Sequence, residues 1–310
     1  MPIAIRDTLA VLKDTAKDFW NDDCPRMAAA LSYYTVFSLP PLLVLVIAVA
    51  GLVWDPEDIR GAIAREMGNL VGAQGSAQIR EILEAADRPG SGKGVASIIG
   101  IAALILGATG AFIQLQGALN DAWEVEPDPK QGGVKNFILR RVFSFAMILG
   151  IAFLLLVSLV LSAALSALGS MLGGGASETV LLVVNFVVAF TVITVLFAAM
   201  YKVMPDAVVA WRDVWVGAIG TTFLFMIGKF LLAFYLGRNE PGNAFGAAGS
   251  LALILIWVYY ASMIVLFGAE FTEAWATVKG GGIKPKGGAT RVIEKKQRVR
   301  GGKPAETEVK

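Results

Sequence analysis

Apolar residues gather into six stretches along the chain, each at least as long as the roughly 20 residues that cross a ~30 Å hydrocarbon core. They occupy residues 28–53, 95–118, 137–168, 179–203, 214–236 and 248–271. β-Branched residues are frequent in them, yet every run far exceeds the length of a strand, so the pattern predicts helices. Short segments of alternating polarity, the signature of a membrane β-barrel, are missing from the sequence. The predicted fold class is therefore all-α: a polytopic membrane protein with six transmembrane helices.

Two flanking segments carry a helical repeat of their own. In residues 3–20, Ile5, Leu9, Leu12, Ala16 and Phe19 share one face, with Lys13, Lys17, Asp14 and Asp18 opposite. This predicts an amphipathic helix, either lying in the membrane interface or packed against the ends of the bundle. Arg6, Asp7, Lys13 and Asp14 interrupt the N-terminal apolar residues, so no cleaved signal peptide is expected. Between the first two spans, Ile59, Ile63, Met67 and Leu70 form one stripe and Ile79, Ile82 and Leu83 another, which predicts an outer helical hairpin over residues 54–94. From residue 276 the chain turns to Gly, Lys and Arg, a composition that predicts disorder. The expected organisation is a cytoplasmic interfacial helix (1–27), a six-helix transmembrane domain (28–275) and a disordered basic cytoplasmic tail (276–310).

Charge sets the expected orientation. With the N-terminus inside, 20 of the 27 Lys and Arg residues fall on the cytoplasmic side and six on the other, with Lys229 inside the fifth span. Positive charge is retained in the cytoplasm, so both termini are expected there. Composition agrees with a lipid solvent. Only 17% of residues are charged against about 25% in soluble chains, and mean hydropathy is +0.65. With no histidine and Cys24 as the single cysteine, zinc sites, His-dependent triads, haem attachment and disulfide frameworks are excluded. No cofactor or metal is expected.

The candidate chemistry lies within the spans. Pro40 and Pro41 near the middle of the first span remove backbone donors where lipid supplies none, and transporters place such breaks at substrate sites. The alternative is a kink whose carbonyls are satisfied by neighbours such as Ser38, Tyr33 and Tyr34. Lys229 is the one cation inside a span, suited either to meeting an anionic substrate or to snorkelling outward. The second span ends in a polar run in which Gln114, Gln116 and Asn120 suit a vestibule or inter-helix hydrogen bonds. Glu270 closes the sixth span at its inner end, too far from Lys229 for an ion pair. Small residues at Gly107, Gly110, Gly217, Gly220, Gly246, Gly249, Gly268 and Ala269 would let helices approach closely.

Four segments, CPRMAAALSYYTVFSLPPLL from Cys24, GAFIQLQGALNDAWEV from Gly110, YKVMPDAVVAWRDVWVGAIG from Tyr201 and AAGSLALILIWVYYASMIVLFGAEF from Ala247, resemble the YihY/BrkB family of bacterial inner-membrane proteins. The likeness runs in order across roughly residues 20–275. It implies a six-helix inner-membrane protein, a name linked to serum resistance, and no settled biochemical activity. Family members have also carried the label ribonuclease BN. A metal-dependent nuclease needs clustered His and Asp ligands in an aqueous site, and the carboxylates here are scattered over loops. No enzymatic activity is expected. The functional expectation is transport or gating of a solute or an amphipathic, lipid-like substrate, anionic ones included; the alternative is a non-transporting structural or assembly protein of the envelope. Expected partners are membrane lipids and a small-molecule or lipid substrate, with homo-oligomerisation open. Nucleic acid is not expected, since no aromatic residue is interleaved in the basic tail to stack on bases.

Overall fold

In lipid a chain must pair its backbone groups within itself, and helices do so at every length of apolar run. The computed structural model describes residues 5–51, 55–61, 63–64, 95–127, 142, 176–239, 249–279, 281–292, 299–300 and 303–304. They form helices α1 (Ile5–Asn21), α2 (Cys24–Ala50), α3 (Val95–Ala122), α4 (Ala176–Val203), α5 (Trp211–Asn239) and α6 (Gly249–Val278). Four stretches among the described residues are long and apolar enough to cross a membrane: Cys24–Val44, Val183–Val203, Trp211–Leu232 and Leu251–Val278. They match the first, fourth, fifth and sixth predicted spans, and α3 fills the second. The third predicted span lies outside the described residues apart from residue 142. Most of the predicted hairpin does too, although its first turn, at residues 56–61, is helical and buries Ile59.

α6 is the hub. It packs against α1, α2, α3 and α5, while α2 also packs on α3, and α4 on α5. The α5–α6 contact is built from two reciprocal glycine–threonine notches. A Cβ on Gly217 would sit 1.9 Å from Thr272 Oγ1, and one on Gly268 would sit 1.9 Å from Thr221 Oγ1. Each threonine hydroxyl donates back to the glycine carbonyl of its own helix, Thr272 to Gly268 at 2.7 Å and Thr221 to Gly217 at 2.8 Å. The hydroxyls are thereby satisfied without water, as a membrane interior requires.

The main core sits at one end of the bundle, here termed the basal end, where α1 joins α2. Phe19, Met27, Leu31, Leu119, Trp123, Tyr201, Met204, Val214, Leu266 and Ile283 pack together there. A smaller cluster centred on Leu43 and Ile254, with Ile63 against it, lies further along α2 and α6. Large apolar side chains also line the perimeter, among them Val183 and Phe186 of α4 and Phe223, Phe230 and Phe234 of α5. Such a patch suits contact with lipid.

One open alternative is narrowed and two expectations are corrected. Of the two readings of the proline pair, the structure fits the unbroken helix: α2 runs as one helix from Cys24 to Ala50 with Pro40 and Pro41 inside it. The reason is packing, since the pair lies on the small-residue face of α3, where a Cβ on Gly107 would be 2.9 Å from Pro41 Cγ. The tail is not disordered from residue 276. α6 continues to Val278, and residues 284–285 and 289–291 form β3 (Lys284–Pro285) and β4 (Ala289–Arg291). Their order comes from pairing across the chain: β3 is antiparallel to β2 (Ala207–Val208), and β4 to β1 (Val125–Pro127), with Val125 opposite Arg291. A further short pair, β5 (Val299–Arg300) and β6 (Lys303–Pro304), follows. Finally, the predicted apolar face of α1 is split. Phe19 turns into the core with Val11 and Thr15, whereas Leu9, Leu12 and Ala16 remain exposed.

Candidate functional site

The basal end brings together polar side chains from every described element that reaches it. α3 ends at Ala122, and Glu124 then adopts a left-handed backbone (φ 51°), which turns the chain into β1. That conformation is unfavourable for a side chain of this size and is held by what Glu124 meets. Its carbonyl accepts from Val292 N–H at 2.9 Å, and its carboxylate pairs with Arg291 at 3.1 Å. Arg291 also reaches Glu273 of α6 at 3.7 Å. One tail arginine therefore links the end of α3 to α6.

A second connection runs from α3 to the turn after α4. The Asn120 amide donates to Asp206 Oδ2 at 2.9 Å, and its carbonyl accepts from Asp206 N–H at 2.8 Å. The tail covers the same turn. Lys286 Nζ donates to the Pro205 and Val203 carbonyls at 2.5 and 3.3 Å, groups left without partners where α4 ends. Burial holds the Lys286 ammonium below the ordinary lysine range, Asp206 opposes this, and Lys202 adds to it. Beneath lie two aromatic hydrogen-bond donors: Trp123 Nε1 to the Ala269 carbonyl at 3.0 Å, and Tyr201 OH to the Val265 carbonyl at 2.8 Å.

Cys24 and Glu270 form a buried polar pair. Glu270 is 1% exposed, and the Cys24 thiol donates to its Oε1 at 3.4 Å. Asp18, Asp22 and Glu273 act on it electrostatically. Among the described residues no Lys or Arg stands within ion-pair distance of it. Between the α1–α2 turn and the end of α3 opens a cleft of about 220 Å³ whose charged lining is Asp22, Asp23, Arg26, Asp121, Glu124 and Glu126; Cys24 and Glu270 do not line it. Asp23, at the α1–α2 turn, is the other non-glycine residue with a left-handed backbone (φ 54°) among those described.

The residues singled out from sequence are distributed over several surroundings. Asn120 and Glu270 lie in the basal cluster. Ser38 is buried in the α2–α3 contact, where its Oγ accepts from Ala111 N–H at 3.1 Å, and Pro40 and Pro41 are half-buried along it. Gln114 and Gln116 are half-buried on α3. Tyr33 and Tyr34 are exposed, Tyr33 against the ring of Phe37. Lys229 is exposed on α5 beside Phe230, and α6 stands between α5 and α2, so it does not join the proline pair. Cys24, Asp206 and Glu273 were not singled out, and Lys286 and Arg291 were read only as charges of a disordered basic tail. The available signal was Ile283, a large apolar residue at the start of a polar tail, which the structure buries in the core.

Among curated proteins, a UPF0761 membrane protein of Alkalilimnicola ehrlichii is 30% identical over 84% of this chain and 57% of its own length. One from Rhodospirillum centenum is 25% identical over 94% of this chain and 64% of its own. The chain thus spans less than two thirds of these relatives. A ribonuclease-like protein of Bacillus subtilis, YfkH, is 24% identical over 84% of this chain and 94% of its own length. No solved structure matches. The family model described as Virulence factor BrkB matches residues 15–291, which include α1 from Thr15, the spans, the basal cluster and the tail as far as Arg291. This chain is an integral membrane protein of the BrkB (YihY) family.

Proposed function

We propose that this protein moves or gates a solute or an amphipathic, lipid-like molecule across the bacterial inner membrane, with both termini in the cytoplasm and the basal end as the inner gate. The observation that carries this reading is Glu270. A carboxyl group removed from water at the end of a membrane helix, facing a thiol and other carboxylates, is costly, and membrane proteins keep such groups where they are used. A change in its charge or partner would be felt at once by α1, through Asp18, and by α2, through Cys24. Arg291, bridging Glu124 and Glu273, would be the contact released as that end opens. Lys229, exposed among phenylalanines, fits a lysine that snorkels to headgroups better than one that meets substrate.

The reading as a non-transporting envelope assembly protein is favoured by one observation. The segment expected to open, around Ser38 and Pro41, is closed against Gly107 and Gly110. The ribonuclease-like name of YfkH is not carried over, because the chain lacks histidine and we read it as non-enzymatic.

Reconstitution separates the two. Vesicles containing the purified protein are assayed for exposure of fluorescent lipid to an external quencher and for osmotic swelling with a panel of small solutes. Transport predicts flux above protein-free vesicles that Glu270→Gln lowers by more than roughly tenfold. Lys229→Met should retain it. No flux in either assay, with protein that is folded and inserted, would reject transport and leave the assembly reading.

A further inference from the structure

Helix α1 has two apolar faces, and the bundle uses only one. Val11, Thr15 and Phe19, spaced by four residues, are buried, and the Phe19 ring lies edge-on to Phe267 of α6 with centroids 5.6 Å apart. Turned from these by a quarter to a third of the helix circumference are Leu9, Leu12, Ala16 and Trp20. Leu9 is 62% exposed, Leu12 44% and Trp20 68%. At about 100° per residue they fall within about 80° of arc, as continuous a stripe as the buried one. Lys13 and Lys17 follow next around the helix on the side away from the bundle contact, both exposed. Asp14 and Asp18 come only after them. Around the circumference the helix thus reads buried, apolar and exposed, basic, then acidic.

From this arrangement we infer that the outward stripe of α1 is a docking surface for the anionic lipid surface of the membrane that α2 enters. Three features select that occupant. α1 ends at Asn21 and α2 begins at Cys24, so the Trp20 end of the stripe lies where the chain enters the bilayer. Trp20 at that end matches the preference of tryptophan for the membrane–water boundary. The flank is complementary in charge: lysines beside an apolar stripe meet anionic headgroups while the leucines enter the acyl boundary, and no carboxylate intervenes between stripe and lysines. α1 then couples the membrane surface to Glu270, because its inner face carries Asp18 and Phe19 to α6. This inference is independent of the transport reading, since it requires only that α2 spans a membrane.

The test uses the full-length protein in lipid nanodiscs, with a nitroxide spin label placed at Leu12→Cys, Ala16→Cys or Asp14→Cys in a Cys24→Ser background that keeps a donor to Glu270. Collision rates with oxygen, which partitions into lipid, and with a water-soluble nickel complex are compared. In discs containing anionic phosphatidylglycerol, labels at 12 and 16 should show an oxygen-to-nickel ratio at least about fivefold above that at 14. That ratio should fall in purely zwitterionic discs, and Lys13→Gln with Lys17→Gln should abolish the dependence on anionic lipid. Equal nickel access at 12 and 14 would overturn the proposal in favour of a water-facing helix. Protection from both agents, with spin–spin coupling between chains, would overturn it in favour of a second copy. A ratio unaffected by phosphatidylglycerol would overturn the assignment to anionic lipid.

Discussion

Asn120→Ala offers the sharpest test of how the basal end is held. Asn120 is buried, and its amide makes both hydrogen bonds to Asp206, one to the carboxylate and one from the backbone N–H. Losing a donor to an ionised carboxylate costs about 1.5–3 kcal/mol, and an unpaired buried N–H about 1–3 kcal/mol. Asp206 is half-buried and water can replace part of this, so the expected loss is about 2–3 kcal/mol. On the scale of about 2–4 °C per kcal/mol for large domains, this is a Tm decrease of about 5–10 °C. Asp206→Asn preserves both bonds and should cost under about 1 kcal/mol. Asn120→Asp keeps the acceptor for the N–H but sets carboxylate against carboxylate, so at neutral pH it should be at least as harmful as alanine. The assay is thermal unfolding in detergent followed by tryptophan fluorescence, with the buried Trp123 one turn from the substitution. A Tm for Asn120→Ala within about 2 °C of wild type, or Asp206→Asn as damaging as Asn120→Ala, would refute the reasoning.

Gly268→Ala should collapse the yield of folded protein, because its Cβ would lie 1.9 Å from Thr221 Oγ1 and 2.4 Å from the Tyr201 hydroxyl, while Gly117→Ala, with nothing within 4 Å, should stabilise by about 0.5–1 kcal/mol. Size-exclusion profiles and thermal unfolding of the two variants compare them directly; equal yields would mean that the α5–α6 contact is looser than described. Thr290→Cys, exposed on β4, should react with a membrane-impermeant maleimide only after cells are permeabilised, in a Cys24→Ser background. Labelling in intact cells would invert the proposed topology.

The sequence alone determined the class of the molecule and the places of the membrane helices among the described residues. Apolar runs of 20 or more residues have few physical outcomes, and lipid removes most of those, so the first, fourth, fifth and sixth spans were legible as α2, α4, α5 and α6, and the second as the helix α3. Small residues at Gly107, Gly217 and Gly268 were readable as contact points for the same reason, since only a missing side chain admits so close an approach. What needed the tertiary structure is everything set by neighbours distant in the chain. Prolines suggest a broken helix from local rules, yet Pro41 is carried through because Gly107, 66 residues away, leaves room for it. A two- or three-residue strand has no periodicity to detect, so the order of the tail appeared only when Arg291 found Val125 and Glu124, and Lys286 found the end of α4. Hydropathy placed Lys229 within a span but not on a side of its helix, and it marked Glu270 without naming Cys24 as its partner. Depth in the membrane is written in local composition, whereas direction around a helix and pairing across it are decided by packing.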